Sequence, residues 1–382
     1  MKQGIQEDPS VKNEVRRDSQ FALMSRKFGK HKAAVISGLV LLMLYIVAAF
    51  SGFFAPYGAN SKDLDYAYLP PQELNFSLSE GLHSPVLTLQ EDPVTLRKYY
   101  LKNEEESIPL GFFVRGEAYS LFGVFECDRH FFGVNIDKWA KGNSSGEVAP
   151  RFALLGTDRY GRDMLSKIVH GSRISLSIGL VAIVITFILG VAIGGVSGYF
   201  GGTTDVVIQR VIEIINSFPQ LPLWLAIGAI LPDTWTPLKV YLAITIVLSF
   251  LNWTGLGRVV RGKILSLRNE DYVVAAKLMG ASHGRIIFKH LLPGFASHII
   301  VTLTLSVPGM ILGETALSFL GLGLRAPIIS WGVLLQDCLN LSTISNYPWL
   351  LMPVVMIVLT VLCFNFLGDG LRDAADPYSS KR

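Results

Sequence analysis

The sequence has 382 residues, half of them hydrophobic and only 17% charged, below the roughly 25% usual in soluble domains. With a mean hydropathy of +0.42, this excludes a disordered chain and a strongly charged nucleic-acid binder and points to a protein partly in lipid. The net charge of +4 is modest, so its distribution says more than its sum.

Residues 1–32 form a basic leader with Lys2, Lys12, Arg16, Arg17, Arg26, Lys27, Lys30 and Lys32. The first apolar stretch, 33–56, carries no charge. It is too long, and its leader too extended, for a cleaved signal peptide, so a retained helix is expected. Five further stretches approach the ~20 residues a membrane helix needs. They are 174–196, 211–231 with Glu213 near its start, 240–256, 296–322 with Glu314 and Pro308, and 347–367 with Pro353. Six spans put the leader, the loop between spans four and five, and the tail 369–382 on one side. All three are rich in Lys and Arg, so that side is expected to be cytoplasmic, with both termini inside.

Between spans one and two, residues 57–165 stand outside. Positions 57–163 hold 11 Lys/Arg against 16 Asp/Glu. A segment this long is more than a bare loop. Its 60–93 part reads as irregular wrapping. Its 108–134 part has β-branched and aromatic runs broken by Arg115-Gly116-Glu117, the pattern of a hairpin. The insert is either a small β-containing cover on the mouth or a docking surface for an extracytoplasmic partner. Cys127 and His130 have C-x2-H spacing, but no second pair completes a metal site. A Cys127–Cys338 disulfide would need both on one oxidising side at bonding distance.

No G-x-x-x-x-G-K-[ST] or H-E-x-x-H occurs in the sequence, and the G-x-S-x-G spacings at 142–146 and 280–284 do not read as a strand-to-helix nucleophile elbow. The chain carries no means of hydrolysing ATP and no catalytic constellation, so a partner or an ion gradient must power any transport.

The loop at 257–294, within the core 166–368, is long and organised. Asp271 suits the positive end of a helix over 271–279, and Ala275, Ala276 and Lys277 propagate it. Gly280 can end it in a left-handed cap. After Ala281, Ser282 can cap a second short helix with Arg285, Lys289 and His290 towards its negative end, stopped by Pro293. Ile286, Ile287 and Leu291 would face the membrane domain. Such a bent pair fits a groove on another protein or rests on anionic lipid.

Ala275-Ala276-x3-Gly280, then nine residues, then His290-Leu291-Leu292-Pro293 resembles the EAA loop of permease subunits in binding-protein-dependent ABC importers. Val274 stands where that family often has Glu. The segment 155–163, LGTDRYGRD, is similar to a motif of the dipeptide, oligopeptide and nickel branch. So are Gly198-Tyr199-Phe200-Gly201-Gly202, the run 317–323 and the tail Gly368-Asp369-Gly370-Leu371-Arg372-Asp373. The resemblance is to the second of the two permeases in such a transporter. It implies an all-α membrane fold of six transmembrane helices of the type I ABC importer kind, with the insert added. It also implies partners: a second permease, two ATP-binding subunits that bind ATP and Mg, and an extracytoplasmic substrate-binding protein. This chain itself would bind no cofactor, metal or nucleic acid.

Gly190, Gly194, Gly198 and Gly202 recur every four residues and suit close helix packing, within the chain or with the partner permease. Glu314 is the deepest ionisable residue in a span, so it faces a translocation pathway or holds a neighbouring helix. Asp158, Arg159, Arg162 and Asp163 form either a salt-bridge cluster or a contact with a docked binding protein. The expected function is peptide import, with nickel chelates or oligosaccharides as alternative cargo. A gradient-driven secondary transporter and a membrane receptor are the alternatives of other classes.

Overall fold

The computed structural model describes residues 20–375 except 79, 92, 94–97, 122, 143–148 and 233. Lys2, Lys12, Arg16, Arg17, Lys381 and Arg382 lie outside the described residues.

The described residues open with α1 (Gln20–Lys30) and α2 (Lys32–Ala49), continued after Phe50 by the single turn α3 (Ser51–Phe54). One face of α2, with Leu41, Leu44 and Ala48, is buried, and the stripe Ile36, Leu39, Met43 and Ile46 is exposed. That is the helical period of an element between a core and lipid.

The insert is a four-stranded antiparallel sheet in the order β1 (Asn75–Ser77), β2 (Gly81–Glu91), β3 (Lys98–Leu121), β4 (Phe125–Val134), followed by α4 (Ile136–Gly142). Its small core is Val86, Ile108, Leu110 and Phe152. Two expectations are corrected. The 60–93 stretch contributes β1 and β2 and is not wholly irregular. Arg115-Gly116-Glu117 is not the hairpin turn but a register shift inside β3. There a Cβ on Gly116 would come within 2.6 Å of the His130 ring, so the glycine lets the bulged strand close over that histidine. The turn falls at Gly123, whose φ is +73°.

The helical body follows. It comprises α5 (Met164–Phe200), α6 (Gly202–Ser217), α7 (Gln220–Ile230), α8 (Pro237–Leu267), α9 (Asp271–Leu278), α10 (His283–Arg285), α11 (Ala296–Phe319), α12 (Trp331–Leu334), α13 (Leu341–Asn346) and α14 (Met352–Ala375). Five helical stretches among the described residues are long and apolar enough to cross a membrane, and α6 with α7 makes a sixth bent by 83°. The expected straight third span at 211–231 is therefore broken. Phe218 precedes Pro219, and the proline ring holds Phe218 extended, at φ −82° and ψ 134°. The fourth span does not end at 256: α8 runs on to Leu267.

The longest seam joins α5 to α8, and it is built on glycine. A Cβ at Gly190 would meet Leu256 at 2.7 Å, one at Gly194 the Gly257 carbonyl oxygen at 2.4 Å, and one at Gly198 the Arg261 carbonyl oxygen at 2.8 Å. These three pack within the chain. Gly202 is not part of the stripe: it starts α6 at φ +55° with open space beside it. In α14, Cβ atoms at Gly368 and Gly370 would run into Leu305 and Ala34, which accounts for the glycines of the tail motif as sites of close approach to α11 and α2.

Two alanine substitutions test the seam. Gly262 also lies in α8 but faces open space, so Gly262→Ala is expected to be neutral or stabilising by up to about 1 kcal/mol. Gly194→Ala gains the same helix propensity yet places Cβ against backbone, and is expected to lower stability by roughly 1–3 kcal/mol. Thermal unfolding in detergent reads both.

Candidate functional site

At one end of the bundle, residues 268–295 form a folded projection. α9 ends in a paired cap: the Gly280 N–H donates to the Lys277 carbonyl at 3.0 Å and the Ala281 N–H to the Ala276 carbonyl at 3.1 Å. This is the Schellman arrangement, and Gly280 supplies the positive φ of +79° that it requires. Ser282 then caps the next turn, its Oγ accepting from the Arg285 N–H at 3.4 Å. From there α10 runs through a π-turn (Ile286–Leu291) and a 3-10 turn (Leu292–Phe295) directly into α11. Pro293 does not stop this helix, contrary to expectation. It lies at the start of the 3-10 turn, where its missing N–H costs nothing.

The inner side of the projection is core: Val273, Ala276, Ile286, Ile287, Leu291 and Phe295 pack with Val191, Tyr199, Leu256, Val260 and Ile264. Tyr199, at the end of α5, is the hinge of this packing. Its hydroxyl meets His283 Nδ1 at 2.9 Å, and Lys277 Nζ sits 5.3 Å over its ring. Of the predicted contact residues, Asp271, Ala275, Lys277, Gly280, Ser282, Arg285 and Pro293 are exposed, Ala281 and His290 half-buried. Ala276 is buried, so it packs the projection rather than touching anything outside. Sequence reasoning missed the most exposed apolar pair, Leu278 at 84% and Met279 at 81%, which Tyr272, Val274 and Phe288 accompany. The signal for Leu278 was present, since helical spacing turns it away from Val273 and Ala276; Met279 is exposed because it caps α9 from outside the helix.

At the other end, the 155–163 motif is a folded corner. Asp158 is fully buried. Its Oδ1 accepts from the Tyr160 and Arg162 N–H groups at 2.8 and 3.0 Å, and its Oδ2 from Arg162 Nε at 2.7 Å and Lys167 Nζ at 2.6 Å. Burial pushes its pKa up, but the Lys167 and Arg162 cations outweigh that and hold it below the usual carboxylate value. Asp163 caps α5, its Oδ2 accepting from the Ser166 N–H and hydroxyl at 2.7 and 2.6 Å. Burial raises its pKa from 3.8 to about 6 against those hydrogen bonds. Arg159 alone of the four is largely exposed, 3.3 Å from Asp337. Asp158 and Asp163 are therefore structural in this conformation and present no carboxylate to a docked protein.

Glu314 likewise lines no open pathway here. It is fully buried and accepts from the hydroxyls of Ser330 at 2.7 Å, Ser318 at 2.8 Å and Ser175 at 3.5 Å. Those hydroxyls in turn accept from the N–H groups of Val333, Leu324 and Trp331 at 3.2, 3.0 and 3.0 Å. One carboxylate thus orders three backbone positions after α11, Leu324 in the loop and Trp331 and Val333 in α12. Cys127, Cys338 and Cys363 are free thiols. The ring nitrogens of His130 face the Ala55 and Glu117 carbonyls at 2.5 and 2.9 Å, so that histidine is committed to the fold. No group of three metal-ligating side chains occurs among the described residues.

A body of several membrane-length helices with an organised projection at one end is the architecture of a polytopic membrane protein. Residues 190–380 match the family of binding-protein-dependent transport system inner membrane components, and residues 19–71 match the N-terminal transmembrane domain of oligopeptide transport permease C. The chain belongs to this permease family. It is 44% identical over 225 residues to the dipeptide transport system permease protein DppC of Bacillus subtilis, covering 58% of this chain and 68% of that one. It is 32% identical over 362 residues to DppC of Lactococcus lactis subsp. cremoris, covering 93% of this chain and 90% of that one, a match long enough to take in most of the insert. Inward-facing conformations of the MetNI methionine ABC transporter match with a TM-score of 0.42 and 17% identity, covering 55% of this chain and 97% of that one.

Two predictions follow from the buried acids. Asp163 binds its proton more tightly folded than unfolded, so its contribution makes stability fall as pH rises from about 4 to about 6. Asp163→Asn is expected to remove that part of the slope, at most about 3 kcal/mol across the window; melting temperature against pH checks it. At Glu314, Ala leaves three serine hydroxyls without their acceptor and is expected to cost several kcal/mol. Gln keeps one acceptor oxygen and should cost less. Thermal unfolding ranks the two.

Proposed function

We propose that this chain is one of two membrane-spanning permease subunits of an ATP-driven peptide importer. The single observation that carries the coupling role is the projection at 268–295: an inner face locked into the membrane core and an outer face of exposed apolar side chains around Leu278 and Met279. Water-exposed apolar ridges on rigid turns are partner-binding surfaces. The names of the relatives, dipeptide and oligopeptide transport permeases, support peptides as the cargo.

In this reading, two ATP-binding subunits receive the projection and bind ATP and Mg, while a second permease completes the pathway. A substrate-binding protein delivers cargo on the insert side. The projection, α1 and the end of α14 share the cytoplasmic side, so both termini are inside. The abundance of Arg and Lys at Arg258, Arg261, Lys263, Arg268, Lys277, Arg285 and Lys289 supports that orientation. This chain does no covalent chemistry.

The test is ATPase activity and subunit retention of the assembled transporter in nanodiscs. Leu278→Asp with Met279→Asp changes only exposed side chains, so the permease should stay folded while affinity for the ATP-binding subunits falls roughly tenfold or more. Gly280→Pro cannot adopt the φ of +79° and should abolish hydrolysis stimulated by the binding protein. Unchanged retention and activity in both would overturn the coupling role.

A further inference from the structure

We propose that the β3–β4 hairpin of the insert lies in the bilayer leaflet on its own side, beside α2, with its tip immersed in lipid. The inference starts from the order of contacts along the hairpin. Its base, at Leu110 and Val134, packs in the insert core. Next, Phe131 meets Phe54 and Phe53 at ring separations of 5.5 and 5.9 Å, and Phe113 meets Phe53 at 6.0 Å. Further along, the Tyr119 ring lies so close to Gly52 that a Cβ there would be 2.4 Å away. The ring contacts thus run from Phe54 back to Gly52, towards α2, while Glu117 in the bulge turns the other way and accepts from the Gly58 N–H and the Ser61 hydroxyl; the tip lies beyond Tyr119.

The tip itself is apolar. Hairpin turns are ordinarily made of polar and small residues, yet here Gly123 is flanked by Leu121, Val124 and Phe125, with Val124 74% and Phe125 64% exposed. The hairpin is also two-faced. Cross-strand pairs Tyr119–Cys127 and Leu121–Phe125 share the face turned to Gly52, whereas Ser120–Glu126 takes the opposite one. Asp128 alternates with Cys127 onto that second face, where it and Glu126 are exposed towards the tip, with buried His130 further back on the same face. Exposed apolar groups on one side and acids on the other are the arrangement of an element resting in a membrane interface.

Charge supplies an independent observation. Arg115 and Arg129 stand directly opposite each other across β3 and β4, and neither has a carboxylate partner among the described residues. Like charges in that position are destabilising. They lie between the Phe113–Phe131 level and Tyr119, where lipid phosphates would sit if the tip is below them, and long arginine side chains reach such phosphates from an apolar setting. The exposed stripe of α2, ending at Phe50, continues into Phe53, Phe113 and Phe131. The surface is therefore continuous with one that already faces lipid, which favours bilayer over protein as its cover.

The test is spin-label depth measurement on the full chain in nanodiscs of equal parts phosphatidylcholine and phosphatidylglycerol. A nitroxide is placed at Val124→Cys in a Cys127→Ser background, the other two cysteines being buried. Labels at Ile46→Cys and Asp128→Cys mark lipid and water. The expected result is a Val124 label that collides more with oxygen than with a nickel chelate, as at Ile46, while Asp128 shows the reverse. A Val124 label with the aqueous ratio of Asp128 overturns the proposal. So does one shielded from both reagents, which would mean a protein contact. With Arg115→Gln and Arg129→Gln, or in phosphatidylcholine alone, the label should become shallower; an unchanged depth would overturn the arginine–phosphate contact.

Discussion

The close approach of α5 and α8 is the constraint on which the rest of the body depends. In lipid there is no hydrophobic gain from bringing two helices together, so contact must come from close packing. Gly190, Gly194 and Gly198 provide it by letting α5 meet Leu256, Gly257 and Arg261 almost backbone to backbone. The position of the projection follows. Where α5 ends, Arg268 donates to the Gly198 and Tyr199 carbonyls at 3.2 and 3.4 Å, groups that a helix end leaves without partners. Arg261 reaches Asp205 through two 2.5 Å contacts, which fixes the start of α6 to the same seam. Tyr199 is then delivered to His283 and Lys277. A seam that slipped would move the projection with it.

Glu314 plays the corresponding part at the opposite end. A buried acid is costly unless its oxygens are filled, and here three hydroxyls fill them. Because each hydroxyl also accepts a backbone N–H, removing the carboxylate would loosen the loop after α11, not one contact. Trp331, fully buried, adds an indole hydrogen bond to the Ile168 carbonyl at 3.1 Å. The loop is thereby tied to α5 on the side away from the projection, next to the corner built by Asp158, Arg162 and Lys167.

Much of this was legible in the sequence. Uncharged stretches of about 20 residues mark spans whatever their neighbours, and the Gly280 cap follows from local chemistry alone. Arg210 and Glu213, three residues apart on α6 and 2.6 Å from each other, are likewise a local pair. What escaped was tertiary. The hydropathy of 211–231 is continuous, and a lone proline is tolerated in many membrane helices, so nothing in the residues announced an 83° bend. The hairpin turn was misplaced because Arg115-Gly116-Glu117 looks like turn chemistry, while its glycine is there for the His130 ring. Gly202 shares the period of Gly190, Gly194 and Gly198, but the helix ends at Phe200 and the period loses its meaning. The burial of Asp158 and Asp163 was not legible locally, because residues 90 positions and more away, such as Tyr66 and Trp349, close over that corner.

The two ends of the body are joined by continuous structure. α8 enters the projection without a break to Leu267, and α11 leaves it through the π-turn and the 3-10 turn with no intervening loop. Between the projection and Glu314, the proline inside α11 is Pro308, itself buried against the bundle. In the proposed importer, a push on the Leu278–Met279 ridge therefore meets no slack segment before it reaches α8 and α11. Its effect is borne by the glycine seam, where α5 and α8 can slide only if Gly194 and Gly257 separate, and by the serine–carboxylate cluster that closes the far end. A permease that must open alternately to the two sides needs two packings of nearly equal energy. Small residues at one end and exchangeable hydroxyl contacts at the other suit such an exchange, since neither requires a large apolar side chain to leave its cavity.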